Sequence, residues 1–335
     1  MPRALRVLVL GGAGYIGSVV THHLLACGHQ ATVVDDLSKG HPWAVPDGVT
    51  LHRFDIADRH RLEEVLPGHD AVVHLAALSL VGESMQRPAA YFRANVGGTA
   101  SVLEAMEAAG VARLVFSSTA AVYGEPTAVP IDEDAPVAPT NPYGASKAAV
   151  DHLIGFAAKA GSLGAVSLRY FNVAGAAYGV GEAHDPETHL VPAVLAAAAG
   201  RAAAVQVHGT DYPTPDGTAV RDYIHVADLA AAHVLALEAI DGPGHRVLNL
   251  GNGAGFSVRQ VIEAAERVTG RAIPVEEGPR RLGDPTVLVA SAERARAELG
   301  WKPERPSVEE MVADAWAWTL AGPPDGSAAV RPLPS

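Results

Sequence analysis

The sequence predicts an α/β fold: a doubly wound parallel sheet, accompanied by a smaller C-terminal α/β domain. Short runs rich in Val and Leu alternate with longer helical patterns through the first half of the 335 residues. Continuous apolar runs are typical of parallel strands that helices cover on both faces. A glycine-rich turn follows the first run, and polar residues follow most of the others. Ligands of such sheets bind at the carboxyl ends of the strands, so these polar residues are the first candidates for a site.

Seven runs are expected to form the strands of the sheet. They cover residues 6–10, 31–34, 49–52, 71–75, 113–117, 165–170 and 247–250. After residue 175 the regular alternation stops, and Gly, Pro, His and acidic residues become frequent. We therefore expect one domain over residues 1–175, joined by a returning segment near 222–262, a second domain over 176–320, and a disordered tail over 321–335.

Composition argues against several classes of function. The formal net charge is -12 and no cluster of Lys and Arg is evident, so a nucleic-acid partner is not expected. No apolar stretch reaches the roughly 20 residues that a membrane helix needs, so no membrane partner is expected. Cys27 is the only cysteine, which rules out an intramolecular disulfide and a cysteine metal site and fits a cytoplasmic enzyme. His184, His189 and His225 are interpreted as solvated or capping residues, so no metal is predicted.

The glycine-rich turn predicts a dinucleotide site. Gly11, Gly14 and Gly17 follow the first strand and open a helix, whose unpaired N–H groups attract a pyrophosphate. Asp35 ends the second strand 18 residues after Gly17, where a carboxylate can accept both ribose hydroxyls. Asp36 beside it would repel a 2′-phosphate, so NAD is favoured over NADP. The first domain is therefore predicted to be an NAD-binding domain of Rossmann type.

Three further residues extend this site. Asp55 and Ile56 follow the third strand and are expected to meet the adenine edge, and Asn95 is expected on the nicotinamide side. Each of them alone is equally compatible with a turn or a helix cap. Their position at strand ends, beside the glycine-rich turn, favours the cofactor site.

A tyrosine and a lysine form the candidate catalytic pair. Tyr143 and Lys147 stand four residues apart in a predicted helix, so the ammonium lies near the phenol. A nearby positive charge favours the phenolate, and we expect it to lower the pKa of Tyr143 from about 10 toward neutrality. Tyr143 could then act as a base. The hydroxyl of Thr119, which ends the fifth strand, could bind the substrate oxygen that loses its proton.

Several segments together indicate a family. Over roughly residues 5 to 320 the chain resembles the extended short-chain dehydrogenase/reductases, and within them the UDP-glucose 4-epimerases. The matching segments are GGAGYIGS from Gly11, LVGES from Leu80, FSSTAAVYG from Phe116, NPYGASK from Asn141, RYFNVAG from Arg169, GTDYPTPDGTAVRDYIHVADLA from Gly209 and PRRLGD from Pro279. The segment from Gly209 is the most specific of these, since the Tyr-Lys spacing alone indicates only the superfamily.

The resemblance implies an activity and a set of site residues. It implies reversible C4 epimerisation of UDP-galactose and UDP-glucose by transient hydride transfer to tightly bound NAD, through a 4-keto sugar, with Tyr143 as acid/base, Lys147 beside it and Thr119 assisting. The cofactor contacts expected are Gly11, Gly14, Tyr15, Ile16, Gly17, Asp35, Asp36, Asp55, Ile56, Leu75, Ala76, Ala77, Asn95, Ser117, Tyr143, Lys147 and Tyr170. The substrate contacts expected are Thr119, Tyr143, Asn172, His189, Leu190, Gln206, His208, Arg221, Arg281, Asp284 and Leu288.

Four positions depart from the pattern of the family, the first being Thr119, where many members carry a serine that serves equally for hydrogen bonding. Ser79 stands where a lysine often lies near the cofactor, and His208 replaces a common aromatic residue near the base. Leu288 stands where members that accept only hexoses tend to carry a tyrosine, so some tolerance of N-acetylated UDP-sugars is expected. The family also implies a homodimer formed through helices over residues 95–109 and 143–160.

Related activities are weighed against this interpretation. Nucleotide-sugar dehydratases and decarboxylases resemble the chain but carry acidic residues after the strand-end hydroxyl, where this sequence has Ala120 and Ala121. Because alanine cannot transfer a proton, those reactions are disfavoured. An epimerase of UDP-arabinose or UDP-glucuronate remains an alternative. A non-catalytic dinucleotide-binding protein is a weaker one, since it would be expected to lose the Thr, Tyr and Lys set.

Overall fold

The computed structural model describes residues 3–185, 187–281 and 285–324. Its strands are β1 (Arg6–Leu10), β2 (Gln30–Asp35), β3 (Thr50–Arg53), β4 (Ala71–His74), β5 (Arg113–Ser117), β6 (Gly164–Tyr170), β7 (Asn172–Ala174), β8 (Ala176–Ala177), β9 (Val180–Gly181), β10 (Val205–His208), β11 (Val220–Arg221), β12 (Tyr223–His225), β13 (Gly244–Leu250), β14 (Phe256–Ser257), β15 (Val275–Gly278) and β16 (Val287–Leu288). The predicted tail over 321–335 lies mostly outside the described residues.

The helices complete the chain between these strands. They are α1 (Tyr15–Ala26), α2 (Arg59–Val65), α3 (Val81–Gln86), α4 (Pro88–Tyr91), α5 (Gly98–Ala109), α6 (Pro142–Ala160), α7 (Leu190–Ala198), α8 (Val226–Glu238), α9 (Val258–Thr269), α10 (Glu293–Leu299) and α11 (Val308–Ala321). Short 3₁₀-helices cover Pro42–Ala44 and Ala120–Tyr123, and a π-helix over Phe92–Gly97 joins α4 to α5.

A seven-stranded sheet forms the centre of the molecule. Its order is β13-β6-β5-β4-β1-β2-β3, and every pair of neighbours is parallel. The seven predicted runs are these seven strands, so the prediction of a doubly wound parallel sheet is confirmed. The chain starts at β1 in the middle and winds outward in both directions, so the connections that leave β1 and β4 run to opposite sides and leave a crevice at the carboxyl ends of these two strands.

Successive residues of the strands point to opposite faces, and each face has its own core. Val7, Val9 and Val33 face α1 and α8 in one buried cluster. Leu8 and Leu10 face the other way, toward α2, α5 and α6. The sheet is thus buried on both sides, which explains why its strands are uninterrupted apolar runs in the sequence.

A second, smaller core lies in the C-terminal half. It packs α7, α9 and α11 against β10, with Val194, Val261 and Val312 fully buried. The strand β13 belongs to the large sheet, whereas α9 belongs to this second core. The domain limits expected from the sequence stay a prediction. In the part of the chain that the structure describes, no helix combines the length and apolar character needed to cross a membrane.

Candidate active site

A cavity of about 560 Å³ opens over the carboxyl ends of the central strands. Most of the residues predicted from the sequence line it. These are Gly11, Gly14, Tyr15, Ile16, Gly17, Asp35, Asp36, Asp55, Ile56, Leu75, Ala76, Ala77, Ser117, Thr119, Tyr143, Lys147, Tyr170, Asn172, His189, Arg221 and Leu288. Residues from both halves of the chain therefore meet at one cavity, as the strand-end argument predicted.

The glycine turn has the geometry of a dinucleotide cradle. Gly11 has φ +79°, and a Cβ there would lie 2.6 Å from the backbone nitrogen of Ala76. A Cβ on Gly17 would lie 2.0 Å from the carbonyl oxygen of Gly11. Gly14 differs, since a Cβ there would meet only the Gly11 oxygen at 3.5 Å. Protein packing requires glycine at positions 11 and 17, whereas the open space above Gly14 fits a ligand that approaches the backbone closely.

The start of α1 fits the same ligand. Gly14 is the N-cap, and no side chain caps the first amides of the helix. Asp35 lies at the end of β2, where its carboxylate accepts hydrogen bonds from the backbone nitrogens of Ala13 (3.0 Å) and Leu37 (2.9 Å). Burial raises the pKa of Asp35, and these two amide hydrogen bonds oppose the rise. Free helix amides, an open glycine and an oriented carboxylate are what NAD requires.

The candidate catalytic pair lies on the first turns of α6. Asn141 caps this helix by accepting a hydrogen bond of 2.9 Å from the nitrogen of Gly144, and Pro142 occupies the first turn. Tyr143 faces the cavity, while Lys147 is 2% exposed and donates from Nζ to the carbonyl oxygen of Ser117 at 2.7 Å. This hydrogen bond brings the start of α6 next to the carboxyl end of β5.

The pKa expected for Tyr143 was wrong. Burial raises the pKa of Tyr143 above its ordinary value, and a hydrogen bond with the Thr119 hydroxyl only opposes that rise. Burial also lowers the pKa of Lys147 to about 7, with Asp151 acting in the opposite direction. The spacing argument considered the charge of the lysine but not the desolvation of both groups. In the free protein the pair is therefore not an ammonium next to a phenolate.

A buried ionic network supports Lys147 from behind. Asp151, one turn further along α6, accepts hydrogen bonds from Nε (3.0 Å) and Nη2 (2.9 Å) of Arg169 and from the hydroxyl of Ser118 (3.1 Å). Arg169 also donates to the hydroxyl of Tyr123 at 3.1 Å. This network fixes α6 against the ends of β5 and β6, and so holds the lysine at the strand end.

Asn95 does not line the cavity. It is 2% exposed, accepts a hydrogen bond from the Leu78 nitrogen at 2.9 Å, and donates to the Leu78 oxygen and the Ser146 hydroxyl. Its amide therefore joins the segment after β4 to α6. The π-helix that carries Asn95 packs directly on α6, and the contact of Asn95 with the nicotinamide side stays a prediction.

The opposite wall of the cavity comes from the second half of the chain. Asn172 starts β7, which pairs with β12, and Arg221 is the register partner of Leu288 across β11 and β16. Asp222, next to Arg221, is fully buried and accepts backbone hydrogen bonds from residues 252, 253 and 290. These bonds hold the guanidinium and the leucine side by side at the cavity.

Four other predicted substrate residues are absent from the cavity wall. Leu190 begins α7, Gln206 and His208 lie on β10, and Arg281 is exposed. The side chain of Gln206 donates to Glu276 instead. Asp284 lies outside the described residues. Roles for these residues stay predictions.

Sequence reasoning missed one part of the wall. Glu182 and His184 line the cavity together with His189, and each histidine pairs with a glutamate, His184 with Glu182 and His189 with Glu187 at 2.7 Å. His184 therefore lies in the cavity wall and pairs with a carboxylate, whereas His189 is exposed and is the N-cap of α7, in line with its interpretation as a solvated or capping residue. The alternation of Glu and His over residues 182–189 was the available signal.

Comparison with known proteins gives one family at the level of family model, sequence and structure. Residues 7–251 match the NAD dependent epimerase/dehydratase family. The UDP-glucose 4-epimerase of Streptomyces lividans is 56% identical over 95% of this chain and 97% of its own. The crystal structure of the Brucella ovis UDP-glucose 4-epimerase in complex with NAD is 44% identical, with a TM-score of 0.91 over 94% of this chain and 98% of that one. The Bifidobacterium longum UDP-glucose 4-epimerase, in complex with NAD+ and UDP, is 39% identical, with a TM-score of 0.90 over 95% and 99%.

Proposed function

The chain belongs to the NAD dependent epimerase/dehydratase family, and we propose that it interconverts UDP-galactose and UDP-glucose by inverting C4 of the sugar. The observation that carries this proposal is the meeting of the glycine cradle with Thr119, Tyr143 and Lys147 at one cavity. The glycine cradle would hold the cofactor, and the hydroxyls of Thr119 and Tyr143 would serve proton transfer at the substrate. The protein is accordingly an NAD-dependent isomerase.

The residues around the glycine turn would hold NAD. The amides at the start of α1 would bind the pyrophosphate, and the carboxylate of Asp35 would accept hydrogen bonds from the ribose hydroxyls. When bound, NAD supplies a reversible hydride acceptor at C4 of the sugar. The carboxylate of Asp36, which accepts hydrogen bonds from the backbone nitrogen and the hydroxyl of Ser38, places a second negative charge next to Asp35. That charge disfavours a 2′-phosphate, which supports NAD over NADP.

Proton transfer is assigned to Tyr143. Its phenol oxygen takes the proton from the sugar 4-hydroxyl as C4 gives up its hydride, so that a 4-keto sugar forms, and it returns the proton when the opposite face of C4 regains the hydride. Thr119 orients that oxygen through its hydroxyl. Burial raises the pKa of Tyr143, and positive charge near the phenol would oppose that rise and favour its action as a base. Lys147, with a pKa of about 7, is one source of that charge.

The nucleotide-sugar is assigned to the wall formed by the second half of the chain. Arg221 lines the cavity, and a guanidinium is suited to a diphosphate in a protein whose net charge is -12. Leu288, beside Arg221, lies where the C2 substituent of the sugar is expected. Because leucine is smaller than tyrosine, we infer that N-acetylated UDP-sugars are also accepted.

Two positions of the cavity lack the acid/base groups that the related elimination uses. Ala120 and Ala121 line the cavity directly after Thr119, at the positions where dehydratases carry acidic residues. An apolar methyl group cannot transfer a proton, so these two positions provide no partner for loss of water or carbon dioxide. This supports epimerisation over dehydration.

Incubation of the purified protein with UDP-galactose, without added NAD, tests the proposal. We expect UDP-glucose to form, since the cofactor remains bound between cycles. Tyr143→Phe is expected to lower turnover by about 10²- to 10⁴-fold. Tyr178→Phe is the matched control, since Tyr178 is 46% exposed and absent from the cavity wall. Full turnover by Tyr143→Phe, or no product from the unaltered protein saturated with NAD, would contradict the proposal.

We infer a homodimer that acts in the cytoplasm. Phe156 on α6 is 68% exposed, and Met85 and Phe92, on elements packed against α6, are 61% and 42% exposed. Exposed aromatic and methionine side chains grouped around one helix support burial against a second copy. The single cysteine, Cys27, is compatible with a reducing compartment.

A further inference from the structure

Four side chains between β9 and α7 form a compact group that the proposed chemistry does not use. Glu182, His184, Glu187 and His189 each offer one ligand atom, and these atoms lie within 4.8 Å of one another. Among the described residues it is the one group of this kind. We will call it the Glu/His cluster.

The hydrogen bonds of the Glu/His cluster leave one buried oxygen unsatisfied. Oε1 of Glu187 accepts from the His189 nitrogen at 2.6 Å and pairs with Nδ1 of the same histidine at 2.7 Å. Oε2 of Glu187 has no hydrogen-bond partner although the side chain is 2% exposed. An orphaned carboxylate oxygen is costly to bury, and here it belongs to a carboxylate that is one of four candidate ligands within 4.8 Å of one another.

The second carboxylate is oriented in the same manner. Oε1 of Glu182 accepts from the backbone nitrogens of Ala183 (2.8 Å) and His184 (3.0 Å), and it pairs with the ring of His184. Oε2 of Glu182 lies 4.0 Å from Nδ1 of His189. Backbone amides thus fix both carboxylates, while the imidazoles stand between them on the cavity side.

We propose that the Glu/His cluster binds one divalent cation of the zinc type. Two imidazole nitrogens and two carboxylate oxygens are the mixed donors that Zn²⁺, Co²⁺ and Ni²⁺ accept, whereas Ca²⁺ and Mg²⁺ favour oxygen alone. Ligand atoms around tetrahedral zinc lie about 3.4 Å apart, given bonds of about 2.0–2.1 Å. Side-chain shifts of about 1 Å bring the four atoms to that spacing. The cation takes the place of the protons that the imidazoles share with the carboxylates, and two carboxylates balance its charge.

The position of the Glu/His cluster indicates a structural role. Two side chains hold the backbone of this segment. Nε1 of Trp318 donates to the carbonyl oxygen of Glu182 (2.9 Å), and Nζ of Lys39 donates to the carbonyl oxygen of Asp185 (2.6 Å). His189 is the N-cap of α7. A cation here would join the two ends of the segment between β9 and α7, which contributes Glu182, His184 and His189 to the cavity wall. This inference does not depend on the proposed reaction.

Metal uptake by the full-length protein tests the inference. The protein is stripped with a strong chelator, exchanged into a phosphate-free buffer, and titrated with ZnCl₂ alone by calorimetry and with CoCl₂ by visible absorption. We expect one ion per chain with submicromolar affinity, and a melting midpoint several degrees higher with Zn²⁺. Glu187→Gln and His184→Asn are each expected to weaken binding at least 100-fold.

Matched controls separate the Glu/His cluster from other histidines and acids. Glu263→Gln on α9 and His60→Asn on α2 alter exposed residues outside the cluster, and both are expected to bind Zn²⁺ like the unaltered chain. Circular dichroism in chelator checks that each variant folds without metal. No stoichiometric uptake by the unaltered protein overturns the inference, and so does uptake that both cluster variants retain undiminished.

Discussion

Nζ of Lys147 donates a hydrogen bond to the carbonyl oxygen of Ser117 across 2.7 Å, in a site where the lysine is 2% exposed. The ammonium also lies 4.7 Å from the centre of the Phe116 ring. Neither contact offsets the loss of water, since burial lowers the pKa of Lys147 to about 7. The chain therefore keeps a charge at the cavity floor at a cost in stability, which is typical of a functional position.

Lys147→Met is expected to remove activity and to stabilise the protein without cofactor. Methionine fills similar space without a buried charge, so we expect turnover to fall about 10³-fold and the free energy of unfolding to rise by about 1–3 kcal/mol at pH 7. The lowered pKa means that the unfolded chain binds more protons than the folded one between pH 7 and 10.5. The unaltered protein therefore gains stability as pH rises through that window, and the advantage of the variant shrinks.

Denaturant unfolding at pH 7 and pH 9.5 measures this difference. Lys159→Met, on the same helix but exposed, is the control and should change neither activity nor the pH dependence. A Lys147→Met variant less stable than the unaltered protein at both pH values would contradict the account of the buried ammonium.

Substitutions of Thr119 separate its hydroxyl from its shape. Thr119→Ser keeps the hydroxyl, and turnover is expected to stay within a few-fold of the unaltered protein. Thr119→Val is nearly isosteric but has no hydroxyl, and we expect kcat to fall about 100-fold. The hydroxyl also accepts a hydrogen bond from the Ala121 nitrogen at 3.2 Å, so Val should cost about 1 kcal/mol of stability. Steady-state kinetics check the first effect and thermal unfolding the second; equal kcat values for Val and Ser would refute the role of the hydroxyl.

Two alanine substitutions in the glycine turn are expected to differ. A Cβ on Gly14 meets protein only at 3.5 Å, whereas one on Gly17 meets the Gly11 oxygen at 2.0 Å. Gly14→Ala should keep its stability within about 0.5 kcal/mol yet lose at least tenfold in NAD affinity. Gly17→Ala should lose about 3 kcal/mol through overpacking. Thermal unfolding and NAD retention after gel filtration measure both; unchanged NAD retention in Gly14→Ala would show that the open space is not the cradle.

Leu288→Tyr is expected to narrow the range of sugars. The added ring would reduce the space beside Arg221, its register partner across β11 and β16. We expect kcat/KM for UDP-GalNAc to fall at least tenfold more than kcat/KM for UDP-galactose. Leu288→Met, which preserves volume, should leave the ratio of the two values unchanged. If the unaltered protein converts UDP-galactose but not UDP-GalNAc, the proposed tolerance is wrong.

Phe156→Asp is expected to convert a dimer into a monomer. Phe156 is 68% exposed on α6, and a carboxylate in an apolar interface would remain unpaired there. Leu320→Asp is the control, since Leu320 is 59% exposed on α11. Light scattering at micromolar concentration should give twice the chain mass for the unaltered protein and the control. A monomeric mass for the unaltered protein would exclude the dimer.

Local pattern was sufficient to predict the sheet and most of the cavity wall. Each of the seven apolar runs became a strand of the sheet, and Asn141 with Pro142 begins α6 as predicted. The orientation of Asn95 could not be predicted, because a polar residue in the sequence carries no information on where its side chain points. Only the packing of the π-helix against α6 directs its amide to Leu78 and Ser146 rather than to the cavity.

By itself, the sequence determined the order of strands and helices and the position of the glycine turn. It also placed Thr119 after the end of a strand, and Tyr143 and Lys147 near the start of a helix. These are properties of periodicity and of neighbouring residues, which need no knowledge of distant contacts. The tertiary structure alone decided how charged these groups are and what lies beside them. Burial raises the pKa of Tyr143 and lowers that of Lys147, and folding brings the Glu/His cluster to the same cavity. Desolvation depends on every atom packed around a group, and that packing exists only once the chain has folded.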